Sequence, residues 1–276
     1  MHPASRMAEH TVIFKRAMLP LLAVFLFILI TGCVTIPQDV LQDEDGLYDE
    51  YDIEEPSESN IITDTVTEAV KKPMIALTFD DGPSKYTKRI LDILEKHGAR
   101  ATFFVLGENV EEWQDTIIRA IKNGNEVAGH TWSHLALTGL SNQAIEESIL
   151  ATSAKIEQIT GIPRLYFYRP PYGLVNRRVA NVSAGLGYSM LGWTVDPQEW
   201  KHFKANQIYT DVMKYVKENS IILLHDIFAA TAVAAERIIP ALIARGYHLV
   251  TVSELLYHVY GELEPGRMYG SPGIIR

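Results

Sequence analysis

Two adjacent carboxylates, Asp80 and Asp81, and two histidines four residues apart, His130 and His134, are the residues whose types and spacing suit catalysis. Two imidazoles and one carboxylate form a three-ligand site for a divalent metal with a position left for water, and the second carboxylate is then free to act as a base. An aspartate pair or a His-x-x-x-His spacing by itself is common in loops and helices. Together the four residues favour metal-assisted hydrolysis.

These residues need a framework, and from Met74 onward the sequence alternates short β-rich runs with amphipathic helical stretches. The predicted strands are Met74–Phe79, Ala101–Leu106, Glu126–Gly129, Leu165–Tyr168, Ser189–Val195, Ile221–Leu224 and His248–Val252. The predicted helices are Lys85–His97, Glu111–Asn123, Ser141–Thr160, Asn176–Gly185, Asn206–Glu218 and Ala232–Ala244. Strands separated by helices indicate parallel βαβ units, and the right-handed crossover rule leaves a barrel or a doubly wound sheet.

The polar residues of interest lie at the carboxyl ends of the predicted strands. They are Asp80, Asp81, His130, Arg169, Asp196 and His225. Adjacent residues at a strand end point in different directions, which separates the two aspartates. Two histidines four apart on a helical turn share one face and chelate a single ion. Because parallel barrels build their active sites at this end, we expect these side chains to converge.

Five short motifs occur in order along the chain. They are TFDDGP (78–83), HTWSH (130–134), RPPYG (169–173), DPQEW (196–200) and LLH (223–225). In these motifs the region from about Pro73 to Leu255 resembles the NodB-homology polysaccharide deacetylases, which are carbohydrate esterase family 4. The resemblance implies a distorted (β/α) barrel with about seven parallel strands.

The resemblance also implies which residues bind the metal and which one is the base. Asp81, His130 and His134 would bind a divalent metal, with zinc as the expected ion, although this ligand set also suits cobalt or another divalent ion. Asp80 would accept a proton from the water that attacks the acetyl carbonyl. Arg169 would lie beside Asp80 and keep it ionised.

By the same resemblance, further residues would stabilise and complete the reaction. His225 would be the general acid that protonates the leaving amine. The metal and the backbone N–H of Tyr172 would stabilise the oxyanion, since the two preceding prolines have no N–H to donate. Trp200 and Leu223 would form the small apolar pocket for the acetyl methyl group.

One residue departs from the pattern of this family. The fourth motif usually ends in Asp-Trp, whereas this chain has Glu199 before Trp200. In the family that acidic residue orients the catalytic histidine, so Glu199 would act on His225 by resemblance. Glutamate keeps the charge but adds a methylene. We therefore expect the contact to be displaced, and the activity to be reduced or altered rather than abolished.

The resemblance implies an enzyme, a deacetylase that hydrolyses linear amides. Its glycan partner would be a cell-surface polysaccharide with N-acetylglucosamine or N-acetylmuramic acid units, such as peptidoglycan or a chitin-like oligomer. One alternative is an O-acetyl esterase that acts on an acetylated polysaccharide. Another is a weakly active wall-binding lipoprotein, which only Glu199 favours. Trp132 and Trp193 suit either stacking on a sugar face or packing in the core.

The N-terminal region indicates export. Lys15 and Arg16 precede an apolar run at 17–32, and small residues lead to the only cysteine, Cys33. Residues 29–33 resemble a bacterial lipoprotein signal, in which the cysteine is lipidated at the new N-terminus. An uncleaved signal anchor is the alternative, although a run of about 16 residues is short for a membrane span. Either arrangement would tether the protein to the outer face of the bacterial plasma membrane.

The composition of the segment after Cys33 predicts how the rest of the chain is divided. Residues 34–70 hold twelve acidic residues and no Lys or Arg, which is typical of an extended spacer. We therefore expect a signal peptide at 1–33, an acidic disordered tether at 34–72, a catalytic domain at 73–260 and a C-terminal tail at 261–276. A net charge of −9 without a basic patch argues against nucleic-acid binding. The lack of a Gly-x-Ser-x-Gly motif argues against a serine hydrolase.

Overall fold

The computed structural model describes residues 72–270 of the chain. The predicted signal peptide, Cys33, the acidic tether up to residue 71 and residues 271–276 lie outside this range, so what was predicted for them stays a prediction. No helix within the described range is both long enough and apolar enough to cross a membrane.

Short buried strands form one curled sheet. Its spatial order is β6-β1-β2-β3-β4-β5-β8, and β7 pairs with β1. The strands are β1 Met74–Asp80, β2 Thr102–Val105, β3 Glu126–Gly129, β4 Phe167–Tyr168, β5 Ser189–Leu191, β6 Ile221–His225, β7 His248–Val250 and β8 Met268–Tyr269. Every ladder between these strands is parallel. A bridge between Val195, beyond β5, and Ile222 of β6 connects the two sides of the sheet. The predicted distorted barrel of parallel strands is confirmed.

Helices connect most of these strands. They are α1 Thr87–His97, α2 Gln114–Lys122, α3 Asn142–Thr160, α4 Arg177–Gly185, α5 Glu199–His202, α6 Ala205–Tyr215, α7 Ala229–Ala244 and α8 Val252–Tyr260. All six predicted helices form, whereas α5 and α8 were not predicted from the sequence. Thr251 begins α8 with a capping box, in which its side chain accepts from the N–H of Glu254 while the Glu254 carboxylate accepts from the N–H of Thr251.

Strand β1 divides its side chains between two cores. Ile75, Leu77 and Phe79 pack in the large cluster that includes residues of α1, α6 and α7. Ala76 lies on the opposite face, in a second cluster that contains residues of β2, β3, β4, β5 and β6. Since side chains alternate along a strand, Asp80 shares the inner face with Ala76. The last residue of β1 therefore points into the carboxyl end of the barrel.

The structure corrects the predicted end of the domain. Residues 261–276 were expected to be a tail, but Met268 and Tyr269 form β8 and pair with Met190 and Leu191 of β5. Tyr269 is buried in the inner cluster. A strand of two residues has no periodic pattern to recognise, so β8 could not be predicted from the sequence. The fold therefore continues past residue 260.

Candidate active site

Three predicted metal ligands converge at the carboxyl end of the barrel. The Oδ1 atom of Asp81 lies 3.3 Å from the Nε2 atom of His130 and 3.3 Å from that of His134. One donor atom from each of the three residues lies within 4.8 Å of the other two. The side chain of His130 is buried, whereas those of Asp81 and His134 are partly exposed to the cavity above them.

Left-handed turns bring these ligands together, which corrects the expectation that the histidines share a helical turn. His130 directly follows β3, and its N–H still bonds to the carbonyl of Val105 at 2.8 Å. Thr131 and His134 then adopt φ values of 67° and 58° in an irregular loop. Asp81, just beyond β1, has a φ of 71°. Such strain in non-glycine residues is typical of functional sites.

A hydrogen bond fixes the tautomer of His130. Its Nδ1 atom lies 2.7 Å from the backbone carbonyl oxygen of Arg169. A carbonyl only accepts, so Nδ1 carries the proton and Nε2 presents its lone pair toward Asp81. Metal-binding histidines are commonly oriented in this way by an acceptor behind the ring.

The protonation states of the other two ligands also suit a metal. Burial lowers the pKa of His134 and outweighs the opposing charge of Asp81, so the imidazole stays neutral. Burial works to raise the pKa of Asp81, but the close approach of His130, His225 and His134 lowers it on balance. The buried Oδ1 of Asp81 accepts no hydrogen bond from any described residue. This donor set fits a divalent metal.

Asp80 forms a buried ion pair with Arg169 at the bottom of the site. Its Oδ1 atom accepts from the Nη1 atom of Arg169 at 2.6 Å, and the two residues are 2% and 0% exposed. Its other oxygen, Oδ2, lies 3.7 Å from the Nε2 atom of His130. One carboxylate oxygen is therefore held by Arg169 while the other faces the metal ligands, which is the arrangement that a general base requires.

Glu199 contacts His225 directly, so the expected displacement of this contact is wrong. The Nδ1 atom of His225 lies 2.8 Å from the Oε1 atom of Glu199, whose side chain is fully buried. Gln198 adopts a left-handed φ of 53° immediately before α5 begins at Glu199. The longer side chain therefore reaches His225 without loss of the contact.

Glu199 controls the charge of the His225 ring. Burial alone would lower the pKa of His225, but the hydrogen bond and the charge of Glu199, together with the charges of Asp80 and Asp81, raise it from 6.5 to about 9. The Nε2 atom of His225 lies 4.0 Å from Oδ2 of Asp81. The ring is therefore protonated at neutral pH and is placed to donate a proton beside the metal ligands.

The cavity above the proposed ligands has a volume of about 540 Å³, and it is lined by the remaining predicted site residues, Tyr172, Trp200 and Leu223. Trp200 is 46% exposed and Tyr172 is 62% exposed at its rim, whereas Leu223 is buried in its wall. Tyr172 has a left-handed φ of 60°, and its ring lies 4.6 Å from that of His134. Cys33 lies outside the described residues.

Two aromatic residues complete the cavity wall. Trp193 lines it and packs against Gly173, where a Cβ atom would lie 2.8 Å from the indole. Phe228 was not predicted as a site residue, and its ring centroid lies 5.9 Å from that of His225 and 5.0 Å from that of Phe203. Its position three residues after the fifth motif is the only signal that pointed to it. Trp132 is absent from the lining and covers Gly107 instead.

Comparisons with known proteins agree with this geometry. The family profile described as polysaccharide deacetylase matches residues 67–191. The chain is similar to the peptidoglycan-N-acetylmuramic acid deacetylase PdaC of Bacillus subtilis, with 44% identity over 66% of this chain and 38% of that protein. It is also similar to a peptidoglycan-N-acetylglucosamine deacetylase of Bacillus cereus, with 36% identity over 66% of this chain and 88% of the relative.

A solved structure shares the fold. It is a family 4 acetyl xylan esterase from Clostridium thermocellum in complex with a cobalt ion, and it is 33% identical to this chain. The match has a TM-score of 0.66 and covers 73% of this chain and all of the esterase chain, at 100%. By contrast, the chain spans only 38% of the length of the curated Bacillus subtilis protein.

We expect Glu199→Gln to lower the pKa of His225 in the metal-free protein from about 9 toward its ordinary value of 6.5, because the substitution removes the charge that stabilises the imidazolium. In the wild type, that charge stabilises the fold fully below about pH 6.5, and the contribution is lost as the pH rises through about 9. An NMR titration of the histidine ring protons measures the change.

The conservative variant and a surface variant serve as controls for this titration. Glu199→Asp keeps the charge and should leave the His225 pKa raised. Glu236→Gln removes an exposed carboxylate that pairs with Arg89 and should have no effect on it. An unchanged His225 pKa in Glu199→Gln would show that the charge of Glu199 does not control the protonation of the ring.

Proposed function

Because the chain belongs to the polysaccharide deacetylases of carbohydrate esterase family 4, we propose that it is a metal-dependent deacetylase of a cell-surface glycan. It would remove N-acetyl groups from N-acetylglucosamine or N-acetylmuramic acid units, with peptidoglycan as the first substrate and a chitin-like oligomer as the second. The observation that carries this proposal is the placement of a carboxylate, Asp80, and a protonated imidazole, His225, beside the same three metal ligands.

The metal would be held by Asp81, His130 and His134. A divalent ion bound there supplies Lewis acidity, which lowers the pKa of water and polarises the acetyl carbonyl. Zinc is the ion we propose, and the relative that holds cobalt supports a site that accepts other divalent metals. The donor set of two imidazoles and one carboxylate supports the same range of ions.

Proton transfer would be divided between two residues. The Oδ2 atom of Asp80 would take a proton from the attacking water, because Oδ1 is already held by Arg169. The Nε2 atom of His225 would give a proton to the leaving amine, and its raised pKa keeps it protonated for this step. Glu199 would stabilise the imidazolium before the transfer.

Orientation of the acetyl group would depend on Tyr172, Trp200 and Leu223. The backbone of Tyr172 lies in a tight turn, in which the N–H groups of Gly173 and Leu174 bond to the carbonyls of Pro170 and Pro171. Its own N–H would then serve the oxyanion. Trp200 and Leu223 line the cavity and supply the apolar surface that a methyl group needs.

Acetate release tests this proposal. Metal-stripped protein is supplied with zinc or cobalt and assayed on N-acetylglucosamine oligomers and on purified peptidoglycan. We expect Asp80→Asn to lower turnover by about 10²- to 10⁴-fold, as loss of a general base does, while metal binding is retained. Asp81→Ala should abolish metal binding. Asp115→Asn, an exposed aspartate on α2, is the matched control and should match the wild type.

Two results would contradict the proposed enzyme. One is a lack of acetate release with every metal and substrate. The other is an Asp80→Asn protein whose turnover equals that of the wild type. The alternative of a weakly active wall-binding protein rested on Glu199, and the hydrogen bond between Glu199 and His225 removes that support.

An O-acetyl esterase activity is the second candidate, which the similarity to an acetyl xylan esterase favours. An ester has a better leaving group than an amide and depends less on a general acid. We expect His225→Ala to lower turnover of an N-acetyl substrate strongly and that of an acetylated xylan weakly. Equal losses on both substrates would contradict this division. The ratio of the wild-type kcat/KM values on the two substrates measures whether the enzyme prefers N-acetyl or O-acetyl groups.

We also propose that the protein is exported and tethered to the outer face of the bacterial plasma membrane. The basic and apolar pattern that ends at Cys33 supports this location, as does a peptidoglycan substrate, which lies outside the membrane. The acidic residues at 34–72 would then separate the catalytic domain from the membrane.

Fatty-acid labelling tests the anchor. Wild-type protein expressed with a labelled fatty acid should carry the label and sediment with membranes, whereas Cys33→Ser should carry none. Unlabelled wild-type protein in the membrane fraction would instead indicate a signal anchor. Wild-type protein that is released from cells without label would contradict the proposed tether.

A further inference from the structure

Asp226 is a buried acid that the proposed reaction does not use. It directly follows His225, and it is 1% exposed. Its side chain forms no ion pair with any described residue, and its Oδ1 atom has no hydrogen-bond partner among them. Burial raises its pKa to about 7, against the hydrogen bond from Thr87, which lowers it. A buried and incompletely paired carboxyl group is unfavourable for folding, so its position needs a reason.

The carboxyl group of Asp226 packs directly on the turn that follows Asp81. A Cβ atom added to Gly82 would overlap with both carboxylate oxygens of Asp226. Gly82 does not have a left-handed φ, so the close approach of this side chain, rather than the backbone conformation, is what excludes a larger residue. The Oδ2 atom also accepts a short hydrogen bond from the hydroxyl of Thr87.

Further hydrogen bonds join the same two segments. The hydroxyl of Ser84 donates to the backbone carbonyl of Asp226 at 2.5 Å, and the N–H of Ser84 donates to the hydroxyl of Thr87 at 2.7 Å. Below them, Asp80 and His225 are neighbours in the register of β1 and β6. The segment from 82 to 87 is therefore attached to the end of the strand that carries the proton donor.

The opposite side of the turn is held by the segment that follows β2. The N–H of Leu106 donates to the carbonyl of Gly82 at 3.1 Å, and the side-chain amide of Asn109 donates to the carbonyl of Asp81 at 3.3 Å. Asp81 thus sits in a left-handed conformation between two supports. Asp226 is the support on the side of His225.

We propose that Asp226 is a positioning residue that holds the Asp81–Gly82 turn against the end of β6, and so sets the separation between the metal-binding carboxylate and the proton donor. This inference rests on the metal site of the proposed function. It assigns a positioning role to a residue that lies outside the five sequence motifs. Asp226 acts through its contacts with Gly82 and Thr87. Among the described residues, it is not one of the three whose donor atoms could bind the metal.

Four variants of the full-length protein test this role through cobalt binding. We expect Asp226→Ala to weaken cobalt affinity by about 10-fold or more, as loss of a group that orients metal ligands does. Asp226→Asn keeps the shape and the acceptor for Thr87, and should bind cobalt as the wild type does. Gly82→Ala should weaken binding further, because its Cβ collides with Asp226. The double variant, which combines Gly82→Ala with Asp226→Ala, should recover part of the cobalt affinity that Gly82→Ala loses.

Affinity is measured by competition with a chelator, and the visible absorption spectrum of the bound cobalt reports the ligand geometry. A merely structural role would change the unfolding free energy and leave this spectrum alone. Glu126→Ala is the matched control. Glu126 is also a buried acid that accepts from a threonine, Thr102, at 2.9 Å, but it begins β3 at the opposite end of the barrel. The Glu126→Ala variant should lower the unfolding free energy and leave both the cobalt affinity and the cobalt spectrum unchanged.

Two outcomes would overturn the inference. One is an Asp226→Ala protein with the wild-type cobalt affinity and spectrum. The other is a double variant that binds cobalt no better than Gly82→Ala alone, since the collision would then not be the cause. Both are distinguishable from failure of the proposed function, because a wild-type protein that binds cobalt but releases no acetate contradicts the reaction and leaves the positioning role intact.

Discussion

The buried ion pair between Arg169 and Asp80 is the interaction on which the site depends. Arg169 reaches across the barrel interior and donates to Asp80, to the hydroxyl of Thr78 and to the carbonyl of Gly192. A charge removed from water in this way is tolerated only when several partners surround it. The backbone carbonyl of Arg169 accepts a hydrogen bond from His130, so one residue orients both the proposed base and a proposed metal ligand.

The different roles of two adjacent aspartates follow from strand geometry. Alternation along β1 directs Phe79 toward the helices and Asp80 into the barrel. Asp81 is the first residue beyond the strand, and its left-handed backbone turns the carboxylate toward the histidines. The proposed base and the proposed metal ligand therefore lie side by side without pointing at the same atom.

Buried acids control the proposed proton donor as well. Glu199 raises the pKa of His225 through a direct contact between the two side chains. Asp226 packs on the turn that carries Asp81. Neither acid lines the cavity, and under our proposals Glu199 sets the charge of the proton donor while Asp226 sets the position of the metal-binding carboxylate.

The sequence by itself determined seven of the strands, six of the helices and the residues at the carboxyl end of the sheet, because local periodicity carries that information. The choice of a barrel over a doubly wound sheet came from the resemblance in the five short motifs. Only the tertiary structure decided how these residues meet. His130 and His134 converge through an irregular loop rather than a helical turn, Glu199 keeps its contact, and β8 joins the sheet beyond the predicted boundary. Each of these depends on partners distant in the chain, to which local patterns are insensitive.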